Sequence, residues 1–151
     1  MLTSKFHVPF LLISELPYNP LLVTCFEGLI EEKHPYGFIA YHVCREMILD
    51  DESTPKLIDI LPKIVWSLRT ALSHKNETIC LNALEILKLL SDKVGNHLNS
   101  HVKNLVTPIK KHMTEKKLKE KAIVTLRALE ENGGPDVTKI IKAGIPVYSN
   151  N

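Results

Sequence analysis

Pro62-Lys63-Ile64-Val65-Trp66-Ser67-Leu68-Arg69-Thr70-Ala71-Leu72 is the stretch that decides the fold. Ile64, Val65, Leu68 and Leu72 recur at the spacing that lines one face of an α-helix. The proline ahead of them suits a first helical turn, where its missing N–H has no partner to lose. The triplet Ile64, Leu68, Leu72 has an upstream counterpart in Leu22, Phe26, Ile30 and a downstream one in Leu105, Ile109, Met113, at offsets of 42 and 41 residues. The helices between them repeat too: Leu81, Leu84, Leu87 return 42 residues later as Ile123, Leu126, Leu129. A period near 40, two helices per unit and proline near a helix start fit HEAT-like repeats. The expected architecture is all-α, a HEAT/armadillo-like α-α superhelix. It has about three helical-pair repeats plus a short C-terminal helix and an extended tail. One helical pair cannot bury both its faces, so neighbours stack into a continuous core.

Working outward, Asn19-Pro20 opens a first helical segment through Leu22, Phe26, Leu29 and Ile30, with Gly28 marking close packing. His34-Pro35 opens a second, with Phe38, Ile39, Val43 and Met47 facing inward and Asp50, Asp51 and Glu52 as a polar turn. Thr54-Pro55 opens a third. Pro62 is expected to divide it into a short helix from Pro55 to Ile60 and another from Pro62 to about Ser73. Asn76 caps the next helix, which ends near Gly95. Asn96 starts another, bent or divided by Pro108. Thr114 is the expected cap of a long helix stopped by Gly133-Gly134. Pro135 to Gly144 forms a last helix, and Ile145-Pro146-Val147-Tyr148 runs extended. Trp66 is expected in or partly in the core, and Tyr148 is expected to pack. No alternating strand pattern occurs. The expected organisation is an N-terminal segment over residues 1–16, one helical repeat domain over 17–148 and a tail over 149–151.

Length and composition agree with one globular domain: 151 residues, 44% hydrophobic and 24% charged, with 6 glycines and 9 scattered prolines. The apolar runs are too short and interrupted to span a bilayer. Val8 to Ile13 superficially resembles a leader, but Glu15, Leu16 and Pro17 follow where a small-x-small cleavage site would be needed, so a cytoplasmic chain is expected. Cys25, Cys44 and Cys80 are odd in number and far apart, and read as small buried hydrophobes. Asn76-Glu77-Thr78 matches a glycosylation acceptor, which carries no meaning in a cytoplasmic chain. Charge is unevenly spread: residues 1–60 hold 4 basic and 9 acidic side chains, and residues 61–151 hold 15 basic and 8 acidic. The balances are −5 and +7, so acidic partners are favoured at the C-terminal end.

Motifs for catalysis are absent: no GxSxG, HExxH, GxGxxG or Walker A pattern occurs. No cofactor is expected. His97 and His101 stand four apart, a spacing that can hold zinc, but no cysteine or nearby carboxylate completes the set. His42 and Cys44 are two apart and point to different helix faces, which disfavours a nucleophile–base pair. The densest charge feature holds Lys110, Lys111, Lys116, Lys117, Lys119 and Lys121 against only Glu115 and Glu120. Its plain reading is a solvated edge between two helices; its functional reading is a contact for an acidic protein surface. Nucleic acid fits less well, because the cluster lacks arginine and aromatic side chains.

A set of short words places the sequence further. They are Pro20-Leu21-Leu22, Glu27-Gly28-Leu29, Lys33-His34-Pro35-Tyr36, Leu61-Pro62-Lys63, Ala71-Leu72 and Lys116-Lys117-Leu118-Lys119-Glu120. Gly133-Gly134, Ile140-Ile141-Lys142 and Ile145-Pro146-Val147-Tyr148 follow. In order and spacing the sequence resembles the parkin co-regulated (PACRG) family, and most closely its PACRG-like branch. The resemblance implies an armadillo-like helical domain without enzymatic activity. It implies a microtubule-associated component of cilia and flagella, set at the inner junction of axonemal doublets between tubulin and a small β-sandwich partner. The long N-terminal extension of typical members, which contributes to tubulin contact, is shortened or missing here.

The leading expectation is therefore a non-enzymatic, axonemal or microtubule-linked scaffold, with the six lysines as candidate partner-binding residues and a monomer favoured. The alternative is a general cytosolic adaptor that holds a partner protein in a helical-repeat groove. A metal-dependent enzyme using the histidines would require bound zinc or iron.

Overall fold

The structure is a computed structural model and describes residues 15–148. The expected N-terminal segment up to residue 14, with its apolar stretch, and the tail over 149–151 lie outside the described residues. Among the described residues the fold is entirely helical. The helices are α1 (Val23–Glu27), α2 (Tyr36–Leu49), α3 (Ser53–Leu72), α4 (Glu77–Val94), α5 (Asn99–Lys110), α6 (Lys116–Gly133) and α7 (Pro135–Gly144). A π-helical turn at Tyr18–Leu22 and tight 3-10 turns at Gly28–Ile30, Gly95–Leu98 and Lys111–Thr114 flank them.

Each helix packs on the next but one, and most also pack on the next: α4 lies against α2, α3 and α6, while α3 lies against α1, α4 and α5. The result is two layers, α1, α3, α5 and α7 on one side and α2, α4 and α6 on the other. The core runs unbroken between them through Phe26, Met47, Ile64, Leu68, Leu84, Leu87, Leu105, Leu126 and Ile141, all fully buried. Polar bonds between neighbouring helices keep the sequence period. Thr54 Oγ1 donates to Lys93 O (39 residues apart), His112 Nε2 to Leu72 O (40), Thr125 Oγ1 to Leu84 O (41) and Lys93 Nζ to Asp50 O (43).

Helix ends follow their local signals in most places. Asn76 Oδ1 accepts from Ile79 N at 3.1 Å and caps α4. Gly95 ends α4 at φ 56°, and Gly134 separates α6 from α7 at φ 88°, a backbone that side chains resist. Pro135 occupies the first turn of α7. Gly28 is a close-packing position, since a Cβ there would stand 3.1 Å from Ala40 Cβ.

Six expectations are corrected. Pro62 does not divide α3, which is continuous over Ser53–Leu72. The proline sits on the exposed side and removes one backbone bond. Buried Leu57, Ile60, Leu61, Ile64, Val65 and Leu68 on either side hold the helix together. Pro108 likewise lies within α5, which ends two residues later. Thr114 caps nothing: it closes the turn before α6, Glu115 occupies the cap position, and no side chain bonds the first turn there. Ile145 to Tyr148 is a turn and not an extended run. Tyr148 N bonds Ile145 O at 3.0 Å, and both side chains are buried. Ile30 remains 39% exposed, and Phe38 and Ile39 remain 39% and 36% exposed because α2 packs through a different stripe, Ala40, Cys44, Met47 and Ile48. Trp66, expected in the core, is 67% exposed.

Candidate interaction edge

The turns that lead into α2, α4 and α6 lie along one edge of the slab and bond to one another. Asn76 Nδ2 donates to Glu32 Oε1 at 3.1 Å, and His74 Nε2 stands 3.9 Å from Glu32 Oε2. Asn76 N donates to His74 Nδ1 at 3.0 Å. One step further, the His112 ring is buried with Nε2 2.6 Å from Leu72 O. A carbonyl only accepts, so Nε2 carries the proton. Its Nδ1 has no hydrogen-bond partner among the described residues. Lys117 Nζ lies 3.9 Å from Glu77 Oε1. Cys80 Sγ donates to His74 O at 2.7 Å, and its thiol is pushed up to about 11 by burial, then by Glu115 and Glu77. This edge turns the uneven charge of the sequence into a spatial gradient. Glu31, Glu32 and Lys33 stand at the first turn, His74, Lys75 and Glu77 at the second, and the lysines with Glu115 at the third.

The six candidate lysines divide into two groups. Lys121 is half-buried and ion-paired with Glu85 of α4, so it ties two helices together. Lys117 is 77% exposed and its long pair with Glu77 contributes little. Lys110, Lys111, Lys116 and Lys119 are exposed and enter no ion pair among the described residues. Lys110 and Lys111 close α5, where a cation is favoured, but Lys116 and Lys117 open α6, where it is not. The first turn of α6 has no acidic residue and no capping side chain, yet it bears Lys116 and Lys117. The start of a helix carries a partial positive charge and unpaired N–H groups. Cations there raise the free energy of the isolated molecule, and an anionic partner would relieve them.

The remaining candidates are dispersed. His97 lies in the turn before α5, with Nδ1 3.0 Å from Val94 O, and does not share a helix with His101. Among the described residues, no group of three or more His, Cys, Asp or Glu side chains is placed to hold a metal ion. Cys44 is fully buried, and burial raises its thiol well above the usual range. His42 packs edge-on against Phe38 at 4.3 Å and Tyr41 at 5.1 Å. No helix among the described residues is long and apolar enough to cross a membrane.

Residues 10–150 match the family model described as Parkin co-regulated protein. The chain belongs to the parkin co-regulated protein family. It is similar to the Parkin coregulated gene protein homolog of Mus musculus, 26% identical over 156 residues. That match covers 91% of this chain and 64% of the mouse protein, so the chain spans less than two thirds of that relative's length. Within this parkin co-regulated family chain, several of the words that carry the resemblance fall at helix starts and stops, while Leu61-Pro62-Lys63 and Ile140-Ile141-Lys142 lie inside α3 and α7. Lys116-Lys117-Leu118-Lys119-Glu120 opens α6, Gly133-Gly134 ends it, and Ile145 to Tyr148 seals the end of the core.

Sequence reading misses one residue of functional type. Trp66 lies three residues from Lys63 and four from Pro62 and Thr70, and all three are exposed. Those neighbours, and not the apolar content of α3 as a whole, are the signal that puts it on the outer face.

Proposed function

We propose that the chain is a non-enzymatic protein-binding scaffold that docks on an acidic protein surface through the turn between α5 and α6. The supporting observation is the set of unpaired lysines gathered around the adverse start of α6. The two-layer stacking and the polar bonds recurring at about 40 residues support a HEAT/armadillo-type superhelix, which presents long surfaces and no deep cleft. The family resemblance points the partner reading toward microtubules: tubulin is acidic, and the edge of this protein is basic where its lysines cluster. On this reading the protein is cytoplasmic and belongs to the cytoskeleton of a cilium or flagellum, near tubulin and an inner-junction protein.

The test is microtubule co-sedimentation of the wild type and a variant with Lys116→Glu, Lys117→Glu and Lys119→Glu. Three exposed ion pairs at roughly 0.5 kcal/mol each predict about a tenfold weaker Kd. Wild-type pelleting should also fade as salt rises. Unchanged pelleting of the variant removes this edge from the account.

A further inference from the structure

We propose that the outer face of the α1–α3–α5–α7 layer docks an acidic peptide segment bearing a bulky apolar side chain, with Trp66 as the anchor. Trp66 is 67% exposed at the middle of this face, and Ile30 beside it is 39% exposed. Tryptophan is a residue that folding normally covers, and it is enriched where binding energy concentrates. Between them lies a hollow of about 220 Å³, lined by Glu27, Ile30, Trp66, Ser67 and Thr70, with room for one large side chain.

Arg69 prepares this surface for a carboxylate. Its guanidinium carbon stands 5.8 Å from the Trp66 ring centroid, and its Nε donates to Asn104 O on α5 at 3.2 Å. One of five donors is used there, and the planar group is held in place to receive a carboxylate on the others. Charge rises in the same direction. Exposed Lys63, Lys103, Lys139 and Lys142 face only Asp59 and Asp136 on the outer sides of α3, α5 and α7, and α5 contains no acid. A second hollow, about 420 Å³, opens between α5 and α7 with Lys103 and Lys139 beside apolar Val106, Ile140 and Ala143. Glu27 sits at the opposite rim of the first hollow, which directs the occupant's carboxylates toward α5 and α7. Apolar hollows flanked by cations fit a peptide better than a nucleic acid, which needs several stacking aromatics.

Trp66 is the single tryptophan of the chain, so intrinsic fluorescence reports this face alone. The probe is a short synthetic peptide with glutamates around a central leucine. The emission of the free protein should be that of an exposed indole, and it should shift to the blue and saturate as peptide is added. The pair Lys103→Glu and Lys139→Glu should weaken the titration about tenfold. Trp66→Ala, followed by anisotropy of labelled peptide, should weaken it by at least as much while leaving thermal unfolding unchanged. The triple lysine reversal on α6 should leave it unaltered, so this proposal and the α5–α6 reading fail separately. The proposal is overturned if the free emission is already that of a buried indole, if the peptide causes no shift, or if Trp66→Ala binds equally well. It is also overturned if single-stranded RNA or phosphatidylserine vesicles shift the emission at lower concentration than the peptide, or if sedimentation shows that the face pairs with a second copy of the chain.

Discussion

The turn before α4 and the turn before α6 occupy equivalent places in successive helical pairs, and each leads into a helix of 18 residues. Their polar chemistry is opposite. At the first, Asn76 caps the helix and Glu77 complements the dipole. At the second, Glu115 holds the cap position without a cap bond, and Lys116 and Lys117 fill the first turn, where acids are favoured. Both turns rest on the same kind of apolar support, Leu72 beneath one and Met113 beneath the other, each buried. One turn is therefore arranged for stability, and the other carries charge that the isolated fold does not use. Natural proteins depart from local rules chiefly at functional sites, which is why the second turn is the candidate edge.

The largest effects should show what the two turns share. Leu72→Ala and Met113→Ala should each cost about 2–5 kcal/mol, read from urea unfolding midpoints. A large cost at only one of them would mean that the turns are not supported alike. The next effect should separate them. Asn76→Ala loses the cap bond and should cost about 1 kcal/mol, whereas Thr114→Ala should stay within about 0.5 kcal/mol. Equal costs would erase the distinction drawn here. The smallest effect should reverse in sign: Lys116→Glu should stabilise by about 0.3–1 kcal/mol at low salt, because it places an acid at the start of α6. A loss of stability there would mean that Lys116 has an intramolecular role. A chemical contrast accompanies these mutations. With its thiol pushed up to about 11, Cys80 should resist alkylation near neutral pH and react once the chain is unfolded, as mass spectrometry of the labelled protein would show.

Much of the fold is legible in the sequence, because each repeat restates the same apolar spacing and the breakers are strong. Asn76, Gly95, Gly134 and Pro135 stand where their chemistry requires. The errors have common physical causes. Pro62 looks like a divider because sequence shows the lost backbone bond but not the neighbours that hold α3 on both sides. Thr114 has the right chemistry one residue too early, because a tight turn over Lys111–Thr114 precedes the helix. Phe38 and Ile39 fit an inward stripe, yet α2 packs through the overlapping stripe Ala40, Cys44, Met47 and Ile48, and which of two stripes is buried is not encoded in a local window. The lysine cluster is visible in sequence, but its division is not. Only packing shows that Lys121 is spent on Glu85 while Lys116 and Lys119 remain unpaired. Trp66 is misplaced because α3 is apolar enough to suggest burial all round.

The central claim is that the start of α6 gives up stability to hold cations for a partner. The most direct test measures both quantities on one variant, Lys116→Glu with Lys117→Glu and Lys119→Glu: unfolding in urea and co-sedimentation with microtubules. The account predicts stability at least equal to the wild type together with a Kd about tenfold weaker. A variant that is destabilised, or that pellets as well as the wild type, would contradict it.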